Sequence, residues 1–422
     1  MTAMPPTCVY RVPHGWQLQT VDDIKSPEPH SCVAGPFGSE ISSRYFTDAG
    51  VPVIRGSNLR DDLTRFVCDD FAFVSEARAQ EYRPQHVRAG DLVFTCWGTL
   101  GQVGIIPEDG PYPEYIISNK QLKLRVNPNT ANPLFCFYYF GSPAYVTHVR
   151  NRGIGGAVPG INLGILKSLT IALPPLDIQN QIVAVLSAYD DLIENNRRRM
   201  ALLEGAARLL YQEWFVRYSF PGHEHSRKTN GGPQGWEKKQ LREICPDLRE
   251  AANPADLDPT TPYIGLEHMP RRSITLDEWG RAEEVTSTKL HFRSGDILFG
   301  KIRPYFHKVG FALTDGVASS DAIVLRPTDE HFHCFALLTV SSDWFVNVVS
   351  KTAKEGSKMP RADWNLMEQH QILVPSHRVL LALQETVAPI LDQLRTLAFS
   401  NQRLRAARDL LLPRLMTGEI AA

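Results

Sequence analysis

The sequence is short of paired cysteines, of long apolar runs and of net charge, and each shortage excludes something. Its seven cysteines, Cys8, Cys32, Cys68, Cys96, Cys136, Cys245 and Cys334, stand singly with no CxxC pair. Neither a zinc ribbon nor a disulfide framework is signalled, and they read as reduced thiols. His331, His333 and Cys334 lie in or beside the apolar stretch FHCFALLTV, where packing is the commoner use, so no metal is assigned. Nowhere do 18 apolar residues follow one another, and the first residues lack a basic start, an apolar run and a small-residue cleavage site. The chain is expected in the cytoplasm, away from membranes. With 45 Lys and Arg against 46 Asp and Glu, a net charge of -1 excludes a uniformly basic nucleic-acid binder, and any such contact must come from local segregation of charge.

Catalytic signatures are missing as well. There is no Asn/Asp-Pro-Pro-aromatic segment to hold a flipped base, no GxGxxG turn (GIGGAVPG does not match) and no GxxxxGK[ST] phosphate loop. The acidic pairs Asp190-Asp191 and Glu283-Glu284 read as solvated faces.

What is present is a repeat. At 422 residues, with 43% hydrophobic and 22% charged residues, the chain is a globular protein of two or three domains, with two the better starting expectation. PHGWQLQTVDDI (13–24) returns as PQGWEKKQLREI (233–244), an offset of 220. RAGDLVFTCWGTLGQVGII (88–106) is answered by RSGDILFGKIRPYFHKVGFA (293–312), offset 205. PGINLGILKSLTIALPP (159–175) aligns without gaps on PRADWNLMEQHQILVPS (360–376), offset 201. Ordered anchors with shrinking offsets mean one fold used twice, with length differences confined between anchors. Duplication explains the likeness; a bipartite ligand explains keeping both copies.

Within each copy, GDLVF and GDILF read as buried strands entered from a Gly-Asp turn. The apolar stretches 134–149 and 335–349 each read as one core helix on that sheet. After Pro174 and Pro175 the pattern changes to a heptad seam: Ile182, Leu186, Tyr189, Ile193, Asn196, Met200, Leu203, Ala207, Leu210 and Trp214. The second copy ends likewise, through Leu383, Val387, Ile390, Leu394, Leu397, Asn401, Leu404, Arg408, Leu411 and Leu415. Asn196 and Asn401, one polar asparagine in each seam, are expected to set the register of two helices packed antiparallel on one another. The alternative is that each helix packs singly on its own globular domain. A helix of roughly 38 residues is about 57 Å long at ~1.5 Å per residue, a natural spacer. Residues 219–235, SFPGHEHSRKTNGGPQG, read as a linker. The fold class expected is α+β, with two repeated mixed α/β domains separated by two long antiparallel coiled-coil helices.

Two copies, each ending in a Gly/Asn loop, an apolar strand, proline and a long heptad helix, resemble the specificity (S) subunit of type I restriction-modification systems over nearly the whole chain. GGAVPGINLGILKSLTIALPPLDIQNQI (155–182), with Pro174, Pro175 and Gln179, is similar to that family's junction between recognition domain and conserved helix. LRAARDLLLPRLMTGEI (404–420) is similar to its usual ending. At the second junction Ser376 departs from the pattern, standing where a second proline is usual. The resemblance implies target-recognition domains at 1–175 and 236–375, conserved helices at 176–217 and 376–418, and a linker at 218–235. It implies that each recognition domain reads one half of an asymmetric, interrupted double-stranded DNA target. It also implies that the helices space the domains and dock methyltransferase (modification) subunits, and that motor and nuclease (restriction) subunits join that core. The chain itself is then non-catalytic and binds no cofactor, since the S-adenosylmethionine used to methylate adenine N6 belongs to the partner. The competing reading is a coiled-coil scaffold with two protein-binding domains.

Residues for the DNA face are sought among side chains able to bond phosphates and base edges. KIRPYFHK interleaves Lys301, Arg303, His307 and Lys308 with Tyr305 and Phe306. The loop KTAKEGSKMPR offers Lys351, Lys354, Lys358 and Arg361; its first-copy counterpart, RNRGIGGAVPG, offers Arg150 and Arg152. Trp97, Asn119, Lys120 and Gln121 are added because they lie near segments equivalent to the second-copy candidates. The basic run 197–199 on the central helix reads as solvated.

Overall fold

The computed structural model describes residues 10, 12–38, 40–153, 160–229, 232–352 and 359–421. It divides into two units, residues 1–191 with 404–422, and residues 192–403. Each unit therefore holds one globular copy and a piece of both long helices.

The two copies open alike. Trp16 N donates to Pro13 O and Trp236 N to Pro233 O, both at 3.2 Å. These turns hold Gly15 and Gly235 at φ +84° and +82°, a backbone that glycine adopts without steric cost. The next residues, Gln17–Thr20 and Glu237–Gln240, pair antiparallel with Thr170–Leu173 and Gln371–Val374. The first and last anchors of each repeat are thus hydrogen-bonded to each other.

The GDLVF and GDILF runs form Leu92–Thr95 and Ile297–Gly300, buried throughout. In the first unit the sheet order is Cys32–Ala34, Gln121–Leu124, Leu92–Thr95, Val103–Ile105. The second unit repeats it as Asp247–Leu248, Ala322–Leu325, Ile297–Gly300, Val309–Ala312, and adds Thr275–Leu276 in parallel. A second, mixed sheet stands in each unit, with a parallel pair between Val51–Ile54 and Tyr115–Ile117 in one and between Pro262–Ile264 and Gly316–Ala318 in the other.

Each Gly-Asp turn is locked by the same device. Asp91 Oδ2 accepts from Arg88 N at 3.0 Å, and its two oxygens accept from Arg125 Nε and Nη2 at 2.7 Å each. Asp296 accepts from Arg293 N at 2.7 Å and from Arg326 Nε and Nη2 at 2.7 Å each. Both carboxylates are buried, which a fork of paired, charge-assisted donors makes tolerable.

The core helices depart from expectation. Residues 134–149 form not one helix but two, Pro133–Gly141 and Pro143–Arg150. Pro143 has no N–H and pushes Ser142 into an extended conformation, φ -64° and ψ 143°. The second copy breaks at the same place without a proline, into His333–Val340 and Asp343–Thr352, bent by 67°. There the hydroxyls of Ser341 and Ser342 bond back to Leu337 O and Thr339 O at 2.7 Å each, and Ser342 Oγ accepts from Phe345 N, so side chains take over bonds that a continuous helix would make.

The long helices are Leu176–Tyr211, continued by a π-helical turn at Gln212–Val216, and His377–Met416. In the first unit Ile182 and Leu186 share a core with Leu412, Leu415 and Met416. In the second, Met200, Ala207 and Trp214 share one with Leu383, Val387, Leu394 and Leu397. The two helices run antiparallel within each unit. Gln179 is fully buried and ties the junction: its Oε1 accepts from Asn132 N at 2.8 Å while Nε2 donates to Pro174 O and Thr130 O. At the second junction the Ser376 carbonyl accepts from Val379 N and Leu380 N, so serine opens that helix in place of proline.

One acidic residue read as solvated is not. Asp190 is buried against Arg408, Oδ1 to Nη1 at 2.7 Å, whereas Asp191 stays exposed. Sequence spacing set Asp190 beside the seam, and its counter-ions come from distant segments, Arg408 of the opposite helix and, at 3.8 Å, Arg65. Among the described residues no single helix is long and apolar enough to cross a membrane.

Candidate nucleic-acid interface

In both copies the loop that leaves the central strand is brought beside the segment that leads to the final strand. In the second copy Ile302 pairs with Arg361 in an isolated antiparallel bridge, Arg303 N donates to Pro360 O at 2.8 Å and Ala362 N to Lys301 O at 2.9 Å. In the first, Trp97 pairs with Gly160 in the same way and Ile161 N donates to Cys96 O at 2.9 Å. A Cβ on Gly160 would lie 2.6 Å from the Trp97 ring, so glycine is required for that approach. The described ends of the two stretches singled out separately in each copy are therefore adjacent.

Around these bridges the side chains divide. In the second copy Tyr305 is 54% exposed, packed edge to face on Phe306 at 4.9 Å. Phe306 also lies beneath the guanidiniums of Arg271 and Arg303, 4.1 and 5.8 Å from their carbons, a cation–π arrangement. Arg303 and His307 both carry left-handed backbone, φ 49° and 55°, which folds the loop tightly around Pro304–Phe306. Lys301 is half-buried, with Nζ donating to Ser320 O at 2.8 Å, and burial holds its pKa below the usual lysine range. Lys308 is half-buried too, with Nζ on Leu266 O, and burial likewise lowers its pKa. Arg361 is exposed and pairs with Asp321 at 3.2 Å. Lys351 is exposed at the end of its helix.

In the first copy Trp97 is 48% exposed, and Asn119 and Lys120 are exposed beside it, with Cys96 N donating to Lys120 O at 2.8 Å. Arg150 donates from Nε to Leu100 O at 2.9 Å and stands 3.6 Å from Asp61. Arg152 is half-buried.

Two candidates do not reach the surface. Gln121 is fully buried, its Oε1 accepting from Ser118 N and Oγ; it lies on a strand buried at all four positions. His307 is buried with Nε2 on Ser341 O at 2.7 Å, and desolvation lowers its pKa. Lys354 and Lys358, and residues 154–159 of the glycine run, lie outside the described residues. The sequence reading missed Arg271, which lies on no repeat anchor, and the ion pairs Asp91–Arg125 and Asp296–Arg326, whose signal was present as the repeated Arg-x-Gly-Asp followed by Leu-Arg about 30 residues on. His333, set aside as a ligand, bonds Gly295 O at 2.8 Å, and Cys334 is fully buried.

The family described as type I restriction modification DNA specificity domain matches residues 44–204. The MjaIX specificity subunit of a type I restriction enzyme from Methanocaldococcus jannaschii is 21% identical over 99% of this chain and 96% of its own length. The HindI specificity subunit from Haemophilus influenzae is 21% identical over 92% and 98%. The crystal structure of an S subunit from M. genitalium superposes with a TM-score of 0.52 over 97% of this chain and 98% of that one, at 14% identity, a likeness of fold.

Proposed function

We propose that this chain, which belongs to the specificity (S) subunit family of type I restriction-modification systems and is the DNA target-specificity subunit of such a complex, reads a split target through two equivalent faces. Catalysis lies in the partner subunits.

The observation that carries the two-face reading is the repeated bridge, Trp97 to Gly160 and Ile302 to Arg361. Each bridge lies in a loop with an exposed aromatic, Trp97 itself in the first copy and Tyr305 three residues after Ile302 in the second. Residues 1–175 and 236–375 act as the recognition domains, joined through 218–235, and each reads one half of an asymmetric sequence in double-stranded DNA. Exposed Lys120, Lys351 and Arg361, with Arg150, hold phosphates; Trp97, Asn119, Arg303 and Tyr305 approach the bases. Asn196 and Asn401 set the register of the helices at 176–217 and 376–418, which dock the methyltransferase subunits; the motor and nuclease subunits join through that core. The partner brings S-adenosylmethionine and the methyl transfer. A chain that reads chromosomal DNA in such a complex would act in the cytoplasm.

The test is to co-express the chain with its methyltransferase subunits and to sequence genomic DNA for N6-methyladenine. A split, asymmetric motif that disappears without this chain is the expected result. Methylation that is the same without it, or that never acquires a split motif, would leave the chain a scaffold.

A further inference from the structure

Among the described residues, each globular copy is tied to the long helices by a charged clamp that grips a loop also touching the candidate DNA face. In the first unit Arg408, on the C-terminal helix, is 3% exposed. Its Nη1 donates to Asp190 Oδ1 of the central helix at 2.7 Å and its Nη2 to the backbone carbonyl of Asp62 at 3.0 Å. Asp190 Oδ2 accepts from Tyr138 Oη at 2.6 Å, and Arg65, on the same loop as Asp62, reaches Asp191 at 2.9 Å. Burial opposes the charge on Arg408, but Asp190 and Asp409 outweigh it. In the second unit Arg208, on the central helix, donates to Glu204 Oε2 at 3.3 Å and to the backbone carbonyl of Arg272. Glu204 is buried, and its Oε1 accepts from Ser273 Oγ at 2.7 Å and from Thr275 N and Oγ1 at 3.2 and 2.7 Å.

The correspondence is close. An arginine from the long helix of the opposite copy grips a carbonyl in the equivalent loop, at an offset of 200 in the helix and 210 in the loop. Both loops carry a left-handed non-glycine residue at or next to the gripped carbonyl, Leu63 at φ 62° after Asp62 and Arg272 itself at φ 58°. Such backbone persists where its surroundings over-determine it, and it gathers at clamps and switches. The far side of each loop meets the candidate interface. Asp61 faces Arg150, which bonds Leu100 O in the Trp97 loop. Arg272 N donates to His307 O at 3.0 Å, and its Nη1 to Asp343, which stands 3.5 Å from His307 Nδ1.

A buried ion pair adds little stability compared with apolar packing, and in some proteins it is retained because it selects one geometry. We propose that Asp190 with Arg408, and Glu204 with Arg208, are positioning residues that set the angle at which each recognition domain presents its DNA loops from the helices. They thereby decide which spacing between half-sites is accepted, and not which bases are read. The inference rests on the DNA-specificity reading above.

The test uses the full chain assembled with its methyltransferase subunits, comparing wild type, the double variant Asp190→Leu/Arg408→Met, which removes both buried charges together, and the single Arg208→Met, at a side chain that is partly exposed. Genomic N6-methyladenine is mapped, and duplexes carrying both half-sites with the native spacer or one base pair more or less are bound in competition. The expected result is unchanged half-site bases, with the preference for the native spacer over its neighbours falling at least tenfold in both variants. An unchanged spacer preference in folded Arg208→Met overturns the proposal. So does a uniform loss of binding at every spacer with a lowered melting temperature, the mark of a purely structural staple. Altered half-site bases would instead make the pairs specificity determinants and overturn it too. A wild-type complex with no split motif would sink the DNA-specificity reading itself, and the positioning role with it.

Discussion

Asn196 donates from Nδ2 to Oδ1 of Asn401 at 2.9 Å, both buried between the long helices, while Nδ2 of Asn401 has no partner among the described residues. The pair is therefore half satisfied, and its two ends are not equivalent. Asn196→Leu strands the whole Asn401 amide and is expected to cost about 1–3 kcal/mol. Asn401→Leu strands one donor and removes another already unpaired, so it costs less. The double leucine variant should melt above both singles, with loss of a unique helix register. Thermal denaturation of the four proteins checks the order.

Asp91 and Asp296 support the same turn in the two copies, so their loss is expected to be equal and independent. Asp91→Ala leaves Arg125 partly buried with only Glu28 beside it, 2.7 Å away, and breaking such a pair costs about 3 kcal/mol. Asp296→Ala should cost about the same, and the two should add, since neither shares a partner with the other. Urea unfolding of singles and double would show a shortfall from additivity if the turns were coupled.

Lys123 is 3% exposed, bonds His86 O at 2.6 Å, and has its pKa pushed down by burial to about 8. An unfolded lysine titrates near ~10.4. Between those values the unfolded chain binds the extra proton, so stability rises with pH across that window and the burial cost is fully present below pH 8. Wild type should gain on Lys123→Met as pH is raised from 8 to 10. Melting temperatures of both proteins at stepped pH values test this; a constant difference would mean that Lys123 titrates normally.

Trp97 and Tyr305 occupy equivalent faces of different units. Trp97→Ala is expected to weaken specific binding by about 1–3 kcal/mol and to relax base preference in one half-site only. Tyr305→Ala should do the same in the other half alone. Arg361→Ala and Lys351→Ala, if these residues hold phosphates as proposed, should weaken binding for all sequences and reduce the dependence on salt. Binding assays on half-site mutants at two ionic strengths separate these patterns.

Much of this molecule was readable from local pattern. The Pro-x-Gly-Trp turns, the Gly-Asp strands and the heptad seams depend on short-range backbone preference and on burial of one face, and sequence spacing records both. The Asn196 and Asn401 seam positions were legible because a polar residue interrupts an otherwise apolar rhythm. The break at Ser142 was also written locally, as Ser-Pro, but the length of the apolar run concealed it.

What only the tertiary structure decided were the partners of charges and the burial of single polar residues. Asp190 reads as an ordinary helix-surface carboxylate until Arg408, 218 residues away, arrives opposite it. Gln121 reads as an exposed amide until the strand containing it, Gln121–Leu124, is covered so that all four of its residues are buried. The sequence by itself determined two copies, their strands and their helices, because those follow from contacts between near neighbours. Counter-ions and the burial of single polar residues follow from contacts between distant ones, and only folding brings those together.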